Sequence, residues 1–499
     1  MLLFQQNKKT GRILSTLLLF CLLLALVPAC AAGDGSDTSQ TGTRGTDPGL
    51  KSWFDYHGRQ VDKRVIGPGL PPHGWKTGEN VPTITGVSVY AVNAADIPAL
   101  SWSYGCTATS AAMYFGYYDR NGYPDMYTGS ANGGVFPLTN EIWGSSPLGD
   151  GECPLSASHS GIDGRITKGH VDDYYSSFLS NIDPYYGNWP EHSPADSLGD
   201  FMGTSQYENW QNLDGSTTIF FYRDGSPLED YTGGDASGDR DAGHGMKLFA
   251  ESRGYAVASV YNQYIFGYSG NTNGFTYDQY VAEIDSGNPV LIHLYGHTML
   301  GVGYTGTNTI IVHDTWDYSS HTMAWGGTYG DMAHIGVTVV HLVPASGFSA
   351  EPASGITPLT VQFTDRSGGD PASWAWDFGD GDSTNATAKN PVHTYTEAGT
   401  YTVSLVVSNV YGSDSETKDG YITVNAVIAL TGQTGPPTDP DHDGLFEDLN
   451  GNGRLDFADI VLFFNQMTWI AANEPAAAFD FNGNGRIDFG DVVALFNEI

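Results

Sequence analysis

Apolar and polar positions divide this chain into stretches of different character. Tyr401, Val403, Leu405 and Val407 alternate with polar residues, the period-two pattern of a half-buried strand. Ala108, Ala111, Ala112 and Phe115 fall at helical spacing after Gly105, which predicts a helix with Cys106 at its N-terminus. Two apolar runs, 288–304 and 309–316, flank Thr305-Gly-Thr-Asn308 and predict a β-hairpin. Two amphipathic stretches, Phe457–Ile470 and Phe489–Ile499, each follow an acidic loop near the end of the sequence. Residues 120–245 are Gly-rich and mostly aperiodic. Near the start, Lys8, Lys9 and Arg12 precede an apolar run from Ile13 to Val27. That pattern reads as a secretory signal over 1–30 and falls short of the roughly 20 residues of a membrane span. A Gly/Ser/Thr/Asp-rich tether over 31–50 follows.

Composition and charge narrow the class. The chain has 499 residues, which at about 150 per domain is a prior of three domains. Lys and Arg number 21 against 56 Asp and Glu, for a net charge of −35. A surface this acidic lacks the basic face that nucleic acid requires, and it does not favour electrostatic docking on anionic lipid. With 64 glycines and 13% aromatics, turn-rich and β-rich domains fit better than a helical bundle. Four cysteines in this length exclude a disulfide scaffold. Cys30 stands where a lipoprotein signal would carry its lipid, so membrane attachment enters only through that residue; lipidation and simple cleavage are both open.

The strongest repeat is at the C-terminus. Asp448-Leu-Asn-Gly-Asn-Gly-Arg-Leu-Asp-Phe-Ala-Asp459 recurs as Asp480-Phe-Asn-Gly-Asn-Gly-Arg-Ile-Asp-Phe-Gly-Asp491 after 32 residues. Asp448, Asn450, Asn452, Asp456 and Asp459, and likewise Asp480, Asn482, Asn484, Asp488 and Asp491, occupy the oxygen-donor positions of a Ca²⁺ loop. The main-chain carbonyls of Arg454 and Arg486 would fill position 7, and glycine stands at the sharp bend. The pair resembles a dockerin domain or dockerin-like EF-hand pair, a small all-α unit over 439–499. The resemblance implies two Ca²⁺ ions and a cohesin-type surface protein as partner. Asp439, Asp441 and Asp443 form a further acidic loop that could take a third ion.

Residues 346–426 resemble a PKD domain, an all-β immunoglobulin-like sandwich, through Trp374-Ala-Trp-Asp-Phe-Gly-Asp-Gly381, Asn390-Pro-Val-His-Thr-Tyr395 and the strand ending at Asn409. That family implies a surface spacer or adhesion module without catalysis, and Asp377 and Asp380 are expected to be structural turn residues. A Pro/Gly/Thr linker over 427–438 separates it from the acidic tail.

The head, residues 51–345, holds one well-placed nucleophile. A thiol at a helix N-terminus feels a partial positive charge that favours thiolate. A thiolate needs a base, and the base needs an orienting acceptor. If Tyr304 pairs with Thr309, His297 lies opposite residue 316 and shares a face with Asp314, while His313 points away. His293 is the second candidate base, and His159 and His170 are read as solvated or hydrogen-bonded side chains before metal ligands. Cys, then Gly-His on a strand, then Asp on the next strand resembles the C39-like cysteine peptidases of the papain-like α+β fold. Ile97-Pro, Gly-Asn-Pro-Val and Gly-Val-Gly-Tyr flank these residues as in that family. The resemblance makes Cys106 the nucleophile, His297 the general base and Asp314 the orienter, and it leaves 120–245 as a long insertion.

One departure stands out. The family places an oxyanion-hole Gln six residues before the Cys, and here that position is Leu100. Ser101 or Ser103 is the expected substitute donor beside the Cys106 N–H. A Cys106–Cys153 disulfide is the structural alternative for the cysteine. Two functions follow: an exported or cell-surface cysteine peptidase acting on a peptide or protein substrate, or a non-catalytic surface binding protein on the same scaffold.

Overall fold

The structure, a computed structural model, describes residues 50–69, 89–93, 95–102, 105–124, 126, 135–140, 198–204, 215–235 and 238–499. The expectations for the signal over 1–30, Cys30, most of the tether, Ser103, Cys153, His159 and His170 lie outside the described residues.

Within the head, the strands in chain order are β1 (Leu50–Tyr56), β2 (Arg59–Ile66), β3 (Val89–Ala91), β4 (Thr217–Tyr222), β5 (Leu228–Glu229) and β6 (Val257–Tyr264). They continue with β7 (Val290–Leu294), β8 (His297–Thr305), β9 (Thr309–His313), β10 (Ser320–Ala324), β11 (Thr328–Tyr329) and β12 (Met332–Leu342). β2 is the central strand of a small sheet, between β1 and β4. The large antiparallel sheet runs β10-β9-β8-β7-β12-β6-β5, with β3 added to β8 and β11 to β12. β7 is buried at every position, which explains why Val-Leu-Ile-His-Leu shows no alternation.

The helix Cys106–Arg120 packs against β7 and β8, and every residue of it except Arg120 is buried. Ala108, Ala111 and Ala112 are fully buried, and two of the helix hydroxyls bond across the contact to β8. Thr107 Oγ1 and Thr298 Oγ1 are 2.9 Å apart, and Ser110 Oγ donates to the Thr298 carbonyl at 3.1 Å. Gly105 opens the helix at φ 127°, where a β-carbon would stand 2.5 Å from the Gly215 carbonyl oxygen. Glycine is needed there on both counts.

The hairpin differs from its expected form in two ways. The run expected as one strand folds back at Tyr295-Gly296, so that Leu294 pairs with His297. Gly296, the second central residue of the turn, adopts φ 85°, a value that favours glycine. In the next turn Thr305, rather than Tyr304, pairs with Thr309. An irregularity between Gly301 and Gly303 then restores the expected offset, so that Leu300 faces His313. Residues 120–245 are less featureless than their composition suggests: they include a helix at Leu198–Met202, β4, β5 and the first turn of the helix Ala242–Ser252. β4, Thr-Thr-Ile-Phe-Phe-Tyr, is a short continuous apolar run, buried at all but one position, whose signal a scan for period misses.

Beyond the head lie β13 (Phe348–Glu351), β14 (Ser354–Ile356), β15 (Leu359–Asp365), β16 (Ser373–Asp377), β17 (Val392–Tyr395), β18 (Gly399–Asn409) and β19 (Gly412–Asn425). They form two sheets, β13-β15-β17 and β14-β19-β18-β16. Phe363, Trp376, Phe378, Tyr395, Val403, Leu405 and Val407 fill the core. Asp377 and Asp380 each accept a backbone N–H two residues on, so both are turn residues. The tail has helices Phe457–Asn473 and Phe489–Phe496 over a core that includes Leu449, Phe463, Phe479 and Leu495.

Candidate active site

The helix N-terminus and the start of β8 bring Cys106 and His297 together. The Thr107–Thr298 and Ser110–Thr298 contacts fix the residues that follow each of them. Cys106 is a free, fully buried thiol, and its disulfide alternative, Cys153, lies outside the described residues. The N–H of Thr298 points at Cys106 Sγ from 3.2 Å. Gly69 measures the gap between the pair. A β-carbon there would lie 2.4 Å from His297 Nδ1 and 2.5 Å from Cys106 Sγ. The two atoms are therefore no more than about 5 Å apart, the loose spacing of a catalytic pair before chemistry.

The tautomer of His297 follows from its partner. Nε2 lies 2.7 Å from the main-chain carbonyl of Asp314. A carbonyl can only accept, so Nε2 carries the proton and Nδ1 keeps its lone pair. Nδ1 is buried with no hydrogen-bond partner and faces the thiol side. The indole of Trp316 stacks on the imidazole, with centroids 4.4 Å apart and planes 20° from parallel. Position 316 does lie against His297, as the hairpin offset predicts.

Asp314 is at the site, but its carboxylate does not contact the histidine. Oδ1 accepts from the Trp316 N–H at 2.9 Å and Oδ2 from the Tyr329 hydroxyl at 2.7 Å. The group that holds His297 is the Asp314 main-chain oxygen, while the carboxylate is bonded to Trp316 and Tyr329. A face shared by His297 and the Asp314 side chain needs a strand reaching residue 316, whereas β9 ends at His313 and Thr315 adopts φ 64°. That left-handed residue rotates the carbonyl toward His297. His313 is turned elsewhere, to the Pro98 carbonyl at 2.8 Å. His293 is no base: its nitrogens meet Thr298 Oγ1 at 3.0 Å and Thr338 Oγ1 at 2.7 Å inside the core.

Leu100 is fully buried and offers no side-chain donor. Ser101 spends its N–H on Asn140 Oδ1 at 2.9 Å. The second donor beside Cys106 is Trp102. Its Nε1–H and the Cys106 N–H converge on one oxygen, the carbonyl of Pro68, at 2.5 and 3.0 Å. Two N–H groups thus form a cradle around one carbonyl oxygen beside a thiol, the donor arrangement that an oxyanion hole requires. The indole is a donor only, so a tryptophan reaching this point can replace a Gln amide. Nothing in the spacing signals this, because Trp102 reads simply as a core residue.

Burial sets the charge states. Desolvation pushes the Cys106 thiol up to about 11, with the Thr298 N–H pulling the other way. Desolvation likewise lowers His297 to about 3, against the hydrogen bond to Asp314. The pair rests as neutral thiol and neutral imidazole.

The acidic loops form a second candidate site. Asp448 accepts from the N–H groups of Asn452 at 2.9 Å and Gly453 at 2.6 Å. Asp480 does the same with Asn484 at 3.0 Å and Gly485 at 2.7 Å. Asp459 and Asp491 each bridge back to the loop, to Asn450 and Asp456 and to Asn482 and Asp488. Asp456 and Asp488 cap the following helices. Thus one fold is built twice. Asn450, Asn452, Asn482 and Asn484 lie in the loops, with the carbonyls of Arg454 and Arg486 at the seventh positions. In the third loop Asp439, Asp441 and Asp443 lie close to Glu447, which stands outside their alternating spacing. Glu447 Oε2 is buried without a hydrogen-bond partner, and desolvation, then the three aspartates, push its carboxyl up to about 7. An orphaned carboxylate oxygen facing three others fits a cation.

Comparison with known proteins places the middle segment. The PKD family model matches residues 343–424. That segment is a PKD domain. The chain is 44% identical over 69 residues to collagenase ColA of Bacillus cereus, covering 13% of this chain and 7% of that protein. It is 32% identical over 102 residues to pre-pro-metalloprotease PrtV of Vibrio cholerae, covering 20% of this chain and 11% of that protein. The chain therefore spans only a small fraction of the length of these relatives, and the matches lie in the PKD region. The crystal structure of the PKD1 domain of Vibrio cholerae PrtV is 30% identical, covers 16% of this chain and 96% of that domain, and superposes with a TM-score of 0.14. The PKD1 domain of Vibrio anguillarum Epp gives 31%, 16%, 95% and 0.14. Among the described residues, no helix is long and apolar enough to cross a membrane.

Proposed function

We propose that this chain is an exported cysteine hydrolase of the peptidase class, with Cys106 as nucleophile and His297 as base then acid. The observation that carries the reading is the buried Nδ1 lone pair of His297, turned to a free thiol beside a two-donor cradle. In the reaction, Nδ1 takes the thiol proton as Sγ attacks a peptide carbonyl. The Cys106 and Trp102 N–H groups hold the developing oxyanion, and Nδ1 returns the proton to the leaving amine. The Asp314 carbonyl keeps the required tautomer throughout. The resemblance to C39-like peptidases agrees with these roles. The case for a non-catalytic binding protein rested on Leu100, and Trp102 weakens it by offering a donor from another position.

The same proposal gives the tail two Ca²⁺ ions, held by Asp448, Asn450, Asn452, the Arg454 carbonyl, Asp456 and Asp459 and by their counterparts 32 residues on. Asp439, Asp441, Asp443 and Glu447 would hold a third. A cohesin-type partner is supported by two matching stripes of exposed apolar residues, Phe457, Val461 and Phe464 and, on the second helix, Phe489, Val493 and Phe496.

The test is labelling with a substrate-like, thiol-directed electrophile, together with hydrolysis of an unfolded protein substrate. Cys106 should label faster than Cys153, and Cys106→Ala should abolish hydrolysis. Hydrolysis surviving in Cys106→Ala refutes the assignment.

A further inference from the structure

The cleft is already filled by the chain itself. β2 leads out of the small sheet into Gly67-Pro68-Gly69, which crosses directly over the thiol. The Pro68 carbonyl sits in the cradle made by Cys106 and Trp102. On one side Cys106 Sγ is 3.5 Å from the Gly67 carbonyl oxygen. On the other, the position of a Gly69 β-carbon lies 2.5 Å from Sγ and 2.4 Å from His297 Nδ1. The Gly69 carbonyl accepts from the Trp316 indole N–H at 2.8 Å.

Direction matters as much as contact. A peptide to be cut must place the carbonyl before the scissile bond in the cradle and the following residue against the histidine that protonates its amine. Gly67-Pro68-Gly69 meets both conditions, with Pro68 in the cradle and Gly69 against His297. A side chain at Gly69 would overlap the sulfur and the imidazole, and φ 65° also favours glycine there. The register is pinned upstream, because Ile66 is buried in the core and paired with Thr217 of β4.

We propose that the Pro68–Gly69 peptide bond is the site's own first substrate, and that the protein cuts itself there. The proposal rests on the cysteine-hydrolase reading above. Sγ bonds to the Pro68 carbonyl carbon while its proton passes to His297 Nδ1. The C–N bond then breaks, and Gly69 leaves as an amine with that proton. Water hydrolyses the thioester, giving its hydroxyl to Pro68 and its proton back to the thiol, so one water is consumed. Holding the bond in place offsets the poor ionisation of the buried pair, since positioning alone is worth many orders of magnitude in effective concentration. Cleavage frees Gly69 from between the thiol and the imidazole, while β2 stays paired to both β1 and β4. The specificity implied is for glycine directly after the scissile bond.

The experiment follows the intact mass and new N-termini of the purified full chain for wild type, Cys106→Ala and Gly69→Ala, with iodoacetamide alkylation of Cys106 in parallel. Wild type should give a fragment beginning at Gly69, at a first-order rate independent of protein concentration, and Cys106→Ala should stay whole at that bond. Gly69→Ala should cut about a hundredfold more slowly, the cost of a misplaced reacting group. It should also alkylate faster than uncut wild type, because its β-carbon lifts the segment off the thiol. A wild type that stays whole while Gly69→Ala alkylates faster overturns self-cleavage but leaves the hydrolase standing, with the segment as an inhibitor only. A whole wild type with an unreactive Cys106 in every form, and no hydrolysis of added protein, overturns the hydrolase reading as well.

Discussion

Trp102→Phe separates the cradle from the nucleophile. Phenylalanine keeps an aromatic ring in a fully buried position but removes the Nε1–H that bonds the Pro68 oxygen at 2.5 Å. Loss of one oxyanion donor costs about 10²–10³ in rate, or roughly 3–4 kcal/mol of transition-state stabilisation. Alkylation by iodoacetamide builds no oxyanion and should not share that loss. It should hold or rise, because the segment over the thiol loses one of its anchors. Replacing indole by phenyl also leaves a small void, worth about 1–2 kcal/mol of stability. In a domain of this size that lowers the melting temperature by roughly 2–8 °C. The assay is turnover of a fluorogenic peptide library, with Cys106 alkylation and a thermal melt on the same samples. Turnover within about threefold of wild type would show that Trp102 is not the donor. A parallel fall in turnover and alkylation would show that the site had collapsed, and the cradle argument would lose its support.

Other predictions probe the rest of the molecule. Thr298→Val strands the buried partners Thr107 Oγ1 and His293 Nδ1, and should cost about 1–3 kcal/mol in a denaturant melt. Stability should fall as pH drops from about 6.5 toward 3, because His293, His297 and His334 are lowered to about 3 and His313 to about 4 by burial. The unfolded chain binds those protons first, so the stabilisation is present above 6.5 and lost below it; a melting temperature flat from pH 6.5 to 4 would contradict this burial. Calcium titration by calorimetry should register three ions, falling to two in Glu447→Gln and to one in Asp448→Ala with Asp480→Ala. Trp376→Ala should cost the PKD domain about 3–5 kcal/mol while leaving Cys106 alkylation unchanged.

Local grammar carried much of this protein. The tail loops were legible because each ligand position lies within twelve residues of the first, and the repeat states the pattern twice. The PKD strands were legible because alternation is a local property and Trp376 and Tyr395 sit in a dense motif. Cys106 could be placed at a helix start because Gly105 and the alanine spacing are both local. What joined distant segments was not legible. The acceptor for His297 proved to be a carbonyl, since every residue carries one and only the left-handed turn at Thr315 decides which is turned inward. Trp102 became a donor because its ring reaches a peptide group 34 residues away. Glu447 joined the third acidic loop through burial beside it rather than through spacing. The sequence by itself determined the reactive groups, the turns and the repeated acidic loops, all set by neighbours along the chain. Only the tertiary structure decided that Gly67-Pro68-Gly69 lies in the cleft, because a three-residue segment has no periodicity to read and its place is fixed by the β2–β4 ladder and by two indoles.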